Sequence, residues 1–320
     1  MSKKTKIWLI IAVSLVVIGG IVLGVIMNIL HWDFSKLSTV KYKTNDYRFS
    51  ENFENISITT DTADIVFQPS DNTSTFVTCY EAENMTHTVT VQDGTLKIEV
   101  NDTRKWFEHI GFSFSKPKIT VSMPQGEYTD LAIKSSTGDV KIPNNFTFAT
   151  MDMQGSTGNV INHASASGSV QIKRSTGDIQ VENITASSLD LWVSTGKITV
   201  SNTKISDNIN LRVSTGKTDL TNVQCNKLTT TGNTGDIALT SVIATENFTI
   251  RRTTGDITFN RCDAGEISVI TDTGKVCGSL LSDKIFITET DTGRVNVPNT
   301  TSGGKCEITT DTGDIKITIE

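Results

Sequence analysis

Along most of this 320-residue chain, apolar residues fall two apart, which is the periodicity of strands and not of helices. The exception is residues 7–30, IWLIIAVSLVVIGGIVLGVIMNIL, where the apolar run is almost unbroken. At about 1.5 Å per residue, a helix of that length crosses roughly 30 Å of hydrocarbon. The pattern therefore predicts a transmembrane helix over 7–30, preceded by a short tail at 1–6 and followed by a linker at 31–41. Residues 42–128 alternate without a fixed period, as in Thr95-Leu-Lys-Ile-Glu-Val and Lys118-Ile-Thr-Val-Ser-Met. From 129 to 320 the alternation becomes strictly periodic.

The period is set by glycine. Gly138, Gly158, Gly177, Gly196, Gly216, Gly235, Gly255, Gly274, Gly293 and Gly313 lie 19 or 20 residues apart, and Thr precedes each of them. Two residues after the glycine stand Val140, Val160, Ile179, Ile198, Ile237, Ile257, Val276, Val295 and Ile315, with Thr218 the exception. Seven residues before it stand Leu131, Met151, Val170, Leu189, Ile209, Leu228, Phe248, Ile267, Phe286 and Cys306, all able to pack in a core. Each repeat thus reads as an inward-alternating strand, a tight corner at glycine, a second strand, and a shorter third segment around Ile184, Val223, Val242 or Cys262.

Twenty residues cannot hold a βαβ crossover, which needs a dozen or more connecting residues besides its strands. A unit this short cannot bury its own apolar face either, so copies must stack around a shared core. The predicted fold is all-β: a single-chain β-solenoid of about ten 19–20-residue rungs, roughly 50 Å long at about 4.8 Å per rung. An irregular β cap over 42–128 covers its first rung, and Thr60–Phe67 reads as a degenerate rung with Ala63 in the glycine's place. Asp314–Glu320 ends one strand after its glycine and is expected to leave Ile315, Ile317 and Ile319 inward on an open edge. Another copy or a partner strand could pair there, and Lys316 and Glu320 would act as guarding charges.

Charge adds an orientation. Lys3, Lys4 and Lys6 precede the apolar run with no acidic residue among them, which places the N-terminus in the cytoplasm and the remainder outside, as a single-pass cell-membrane protein. A cleaved leader fits less well, because the run is longer than a usual leader's apolar region and no small-x-small site follows it. All 35 acidic residues and 26 of the 29 basic ones lie beyond residue 30, leaving the exported part at −9. That balance is poor for binding nucleic acid or anionic lipid. Five cysteines, an odd number without framework spacing, predict no essential disulfide, and Cys225, Cys262 and Cys306 fall at core-facing phases. After each glycine an outward column brings Asp178 to Lys197, Lys217 to Asp236, Asp256 to Lys275 and Arg294 to Asp314, four expected ion pairs between neighbouring rungs.

Motifs of catalysis give little. Asp272-Thr-Gly, Asp291-Thr-Gly and Asp311-Thr-Gly spell the aspartic-protease tripeptide, but as periodic variants of Ser-Thr-Gly they do not form a carboxylate dyad across a cleft. Stacked, Asp272, Asp291 and Asp311 are candidate cation ligands, with neutralisation by Lys275 and Arg294 as the simpler expectation. Thr-x-Thr at 271/273, 290/292 and 310/312 raises an ice- or surface-binding threonine array. His31, His87, His109 and His163 show no Cys or His partner at ligand spacing. No catalytic residue and no cofactor is expected.

The step Val121-Ser-Met-Pro-Gln-Gly-Glu-Tyr-Thr-Asp-Leu-Ala-Ile-Lys-Ser-Ser-Thr-Gly-Asp-Val140 and the tandem Ser/Thr-Thr-Gly-Asp-Ile copies behind a membrane segment resemble the bacterial putative-adhesin β-strand-repeat family. The resemblance covers about Tyr47–Glu320. It implies a domain of unknown function of the membrane-anchored kind that accompanies cell-envelope stress systems in Gram-positive bacteria, and supplies no catalytic residue. The expectation is a non-enzymatic adhesin-like, interaction or envelope-stress accessory module, with a cell-envelope or protein partner and no nucleic acid. A carbohydrate-active solenoid enzyme is the alternative, alongside the threonine array.

Overall fold

The computed structural model describes residues 2–33, 40–105 and 115–320. Part of the expected linker, part of the cap and His109 lie outside these residues. The helix α1 runs Lys3–Ile29 and begins at Ser2, whose hydroxyl accepts the Thr5 N–H at 3.2 Å. It is long and apolar enough to cross a membrane, and residues all round it, among them Trp8, Leu15, Val16 and Ile21, are exposed.

The rest is a β-solenoid of about ten turns. One face of the rod stacks Asn55–Thr62, Gly126–Thr137, Phe146–Thr157, Ser169–Thr176, Ser188–Thr195 and Asn208–Thr215 in parallel register. A second face stacks Asp64–Ser70, Val140–Ile142, Val160–Asn162, Ile179–Glu182 and Ile198–Ile205. Further along, Thr218–Thr234, Ile237–Thr254 and Ile257–Thr273 are single strands that wrap from the second face of one rung to the first face of the next. The third side contributes the buried pairs Ile184 with Ala186, Val223 with Cys225, Val242 with Ala244 and Cys262 with Ala264. These columns form one continuous core. Cys225, Cys262 and Cys306 are buried within it as free thiols.

The corners explain the glycines. At Gly196, φ is +149°, and a Cβ there would lie 2.0 Å from the carbonyl oxygen of Gly177 on the rung before. No side chain fits that gap, whatever its conformational preference. The residue after each glycine does something other than the expected ion pairing. Asp178 Oδ1 accepts the Lys197 N–H of the next rung at 2.8 Å, Asp139 the Asn159 N–H at 2.7 Å, and Asp256 the Lys275 N–H at 2.8 Å. Of the four expected ion pairs, Lys217–Asp236 (3.1 Å) and Arg294–Asp314 (3.9 Å) form, while Lys197 reaches Asp219 instead at 2.5 Å. A second corner, which the glycine period does not reveal, places Asn183, Asn202 and Asn222 at φ of +57°, +50° and +54°. Asn tolerates the left-handed region better than most residues, and Asn222 also bonds Asn202 at 2.9 Å.

At the N-terminal end, the rung with Ala63 at its corner packs on Gly126–Thr137 and Val140–Ile142. Beyond it the strands turn antiparallel: Thr95–Asp102 pairs Met85–Gln92, and Lys118–Pro124 pairs Thr75–Ala82, which pairs Tyr42–Phe49. These hairpins cover the first rung on both faces.

The C-terminal end departs from chain order. Ile257–Thr273 pairs not with the next strand, Lys284–Thr292, but with Gly304–Thr312, and that strand in turn pairs Lys284–Thr292. The final strand, Ile315–Ile319, is likewise sandwiched between Val276–Leu280 and Val295–Asn296. The open edge is therefore the rung 284–296, and the expectation of an edge at Asp314–Glu320 is corrected. Burial supplies the reason: inserted between two rungs, Ile315 and Ile317 are 0% and 2% exposed, whereas Val295, the register partner of Ile315 on the outermost rung, is 44% exposed. The edge is left with a two-residue strand and with Glu289, Asp291 and Arg294, a charged termination that discourages indiscriminate pairing. Lys284 fastens the displaced rung, its ammonium 2.7 Å from Asp263.

Two outcomes follow. Gly196→Val should lower stability by about 2 kcal/mol or more, through the left-handed backbone and the clash together, read as a fall in Tm. On oxidation, Ser268→Cys with Glu307→Cys should crosslink, since these residues are register partners. Ser268→Cys with Ile287→Cys should not, whereas stacking in chain order would give the reverse.

Candidate interaction surface

Three outward columns on the first face, two, four and six residues before each glycine, build a shallow groove. Four before it, Lys173, Trp192 and Arg212 sit side by side on consecutive rungs, Trp192 being the direct register partner of both cations. With Asp190, Asn210, Thr229 and Thr231 they line a depression of about 480 Å³. A second depression of about 370 Å³ shares Arg212 and Thr231 and continues along the rod to Arg251, Thr253 and Asp272. Trp192 is half-buried and Arg212 and Arg251 are exposed. Among the described residues, Lys173, Arg212 and Arg251 are in no ion pair, while Lys197, Lys217, Lys227 and Arg294 each hold a carboxylate.

Beneath this face, two arginines lie inside the core. Arg174 and Arg252 stand three residues before a corner glycine, 0% and 2% exposed. Each extends over a glycine on the rung before: a Cβ at Gly155 would meet Arg174 Nη1 at 1.7 Å, and one at Gly232 would meet Arg252 Nη1 at 2.0 Å. Arg174 donates to Ser135 Oγ two rungs away at 2.8 Å, and Arg252 to the Val213 carbonyl at 2.8 Å and to Thr218 Oγ1 at 3.3 Å. Burial pulls the Arg174 guanidinium down to about 10, against the opposing pull of Asp139. Strand alternation did not expose them; the signal was a Gly one rung ahead of an Arg in the same inward column, seen twice.

The other sequence candidates are arranged as follows. Asp272, Asp291 and Asp311 are exposed, and because of the displaced rung Asp311 stands between the other two. Thr271 and Thr310 point into the core at 1% exposure, and Thr310 and Thr290 donate to the carbonyls of Gly274 and Gly313 at 3.1 and 3.0 Å. The hydroxyl columns are thus not both outward, which corrects the flat threonine array. His87 corrects a further expectation, for the Thr75–Ala82 and Met85–Gln92 hairpin brings it to Cys79 and Glu81.

Cys79, Glu81 and His87 have donor atoms within 4.8 Å of one another and are all buried, the group among the described residues best placed to hold a metal. The polar atoms of Glu81 and His87 already have partners. Glu81 accepts from His87 Nδ1 and the His87 backbone N–H at 2.7 Å each and from Asn45 at 2.5 Å, and His87 Nε2 meets Thr60 Oγ1 at 2.9 Å. Burial, with the Glu81 charge adding to it, pushes the Cys79 thiol up to about 12, so it is no nucleophile at neutral pH. The cluster is a polar lock joining three cap strands to the first rung.

The sequence profile of the Toastrack DUF4097 family matches residues 53–212 and again 206–320. The chain belongs to this family. No curated protein is significantly similar to this Toastrack chain. Among solved structures, it is similar to a putative adhesin from Bacteroides fragilis, 17% identical over 87% of this chain and 97% of that one, with a TM-score of 0.42. A putative adhesin from Parabacteroides merdae is 12% identical over 87% and 96%, TM-score 0.49. A putative lipid binding protein from Parabacteroides distasonis is 15% identical over 88% and 98%, TM-score 0.43. The resemblance read from the Thr-Gly-Asp copies is thus a family membership, in a family of unknown function.

The polar lock of this Toastrack domain is testable. Glu81→Ala leaves the buried His87 ring and the half-buried Asn45 without their acceptor and should cost about 3–5 kcal/mol. It should also raise amide exchange across Thr75–Gln92. Glu289→Ala, on the exposed edge, should change stability by no more than about 0.5 kcal/mol.

Proposed function

We propose that this protein is a single-pass membrane protein that holds its Toastrack solenoid outside the cytoplasmic membrane as a non-enzymatic interaction module of the cell envelope. The observation that carries the reading is the joining of α1, apolar on every side, to a stacked rod with an acidic surface. A helix exposed and apolar all round has no use for water. Lys3, Lys4 and Lys6 at its start favour a cytoplasmic N-terminus.

The non-enzymatic part rests on the groove. Glycosidic hydrolysis needs two carboxylates flanking one bond. The first depression is lined by one, Asp190, and its neighbour by one, Asp272. A groove of this kind can hold a partner and has little with which to transform it. Envelope-stress accessory work and adhesion both fit such a module.

Cysteine labelling on intact cells tests the display. In a Cys277→Ser background, Thr221→Cys on the exposed rod should react with a membrane-impermeant maleimide, and Lys4→Cys only after permeabilisation. Recovery in the soluble fraction, or the opposite labelling order, would overturn the proposal.

A further inference from the structure

Resting on that reading, we propose that the groove centred on Trp192 binds an acidic oligosaccharide, with a sugar ring against the indole and its carboxylate or phosphate groups on Arg212, Arg251 and Lys173. The exported chain is acidic at −9, and several of its cations hold a carboxylate on a neighbouring rung, as Lys197, Lys217, Lys227 and Arg294 do. Others, such as Lys204 and Lys275, stand singly, whereas the three groove cations are gathered along one column of one face. They stay free of ion pairs among the described residues although they line two adjoining depressions, and Asp190 and Asp272 are the carboxylates there. A local positive strip inside an acidic surface attracts an anion from the partner, where net charge alone argues against one.

The neighbours of the cations name the rest of the ligand. A half-buried indole on an open groove offers an apolar face with a polar edge, the surface on which a sugar ring's C–H face packs. Asn210, Thr229 and Thr231 line the depression beside it, and Ser214, Asn233 and Thr253 line its continuation, with amides and hydroxyls as donors and acceptors suited to sugar hydroxyls. Arginine presents a planar fork that matches carboxylate or phosphate with two parallel bonds. The spacing is that of the rungs: Arg212 lies one rung from Trp192, about 4.8 Å, and Arg251 two rungs further, about 10 Å. Consecutive rungs are separated by roughly the length of one pyranose unit, so a chain lying along the rod presents successive sugars to successive rungs. The combined volume, about 480 and 370 Å³, falls in the range of small-ligand sites.

The test uses the full chain in detergent and three probes: tetragalacturonate, its methyl-esterified neutral form, and phosphatidylglycerol vesicles. Tetragalacturonate should bind at least tenfold more tightly than the ester, and its affinity should fall with added salt. Trp192→Ala should weaken it tenfold or more while Trp192→Phe retains most of it, and Arg212→Gln with Arg251→Gln should remove the preference for acid over ester. Lys217→Gln, on the corner column, should have no effect. Melting curves accompany each variant, so that loss of binding is separated from loss of fold. The proposal is overturned if tetragalacturonate does not bind, if Trp192→Ala binds as the wild type does, if Lys217→Gln is as damaging as Arg212→Gln, or if the vesicles bind while the sugar does not. Failure here with Thr221→Cys still labelled from outside removes the ligand and leaves the displayed module standing.

Discussion

Everything in this rod depends on one backbone contact: at each corner, a glycine carbonyl of one rung lies where a side chain of the next would have to be. The distance from a built Cβ to that oxygen is 1.9 to 2.3 Å from Gly158 through Gly255, so the rungs close to their hydrogen-bonding separation only because hydrogen stands there. The same stacking turns every other column into a ladder. The glycine N–H reaches the threonine carbonyl of the next rung, as Gly158 does to Thr176 at 3.0 Å, and the Asp or Asn that follows accepts one more N–H. Corner, core and carboxylate ladder are three results of one spacing.

Much of this was legible because the period is short and the inward positions repeat. The columns two residues after and seven before the glycine are buried nearly throughout, and the exceptions, Val295 and Phe286, belong to the outermost rung. The Asn corner was less visible, since it occupies a phase where Ser241 and Arg261 also stand at positive φ. The order of the last two rungs could not be read at all: Gly293 and Gly313 keep the ordinary spacing whichever of them lies outside. What decides it is the burial of Ile315 and Ile317, a tertiary preference that periodicity does not encode.

The groove was hidden for a different reason. A repeat-based reading searches for regularity, and the groove column is irregular, running Lys173, Trp192, Arg212, Thr231, Arg251. Where a rod must keep its inward residues uniform to stack, its outward residues are free to vary, and that is where recognition can be written. The carboxylate ladder shows the opposite tendency. Its outward residues look like surface charges, yet they serve the backbone, which is why only two of four anticipated ion pairs form.

The interleaved end of the rod also constrains how the protein is made. A solenoid can in general grow turn by turn, each new rung docking on the last. Here the rung 284–296 leaves the ribosome before the one it rests upon, because residues 304–319 lie between it and the body of the rod. Residues 284–319 therefore have to settle together, once the strand Ile315–Ile319 is in place. At this end of the rod, the order in which rungs emerge and the order in which they stack are different, and growth by simple addition stops at Leu280.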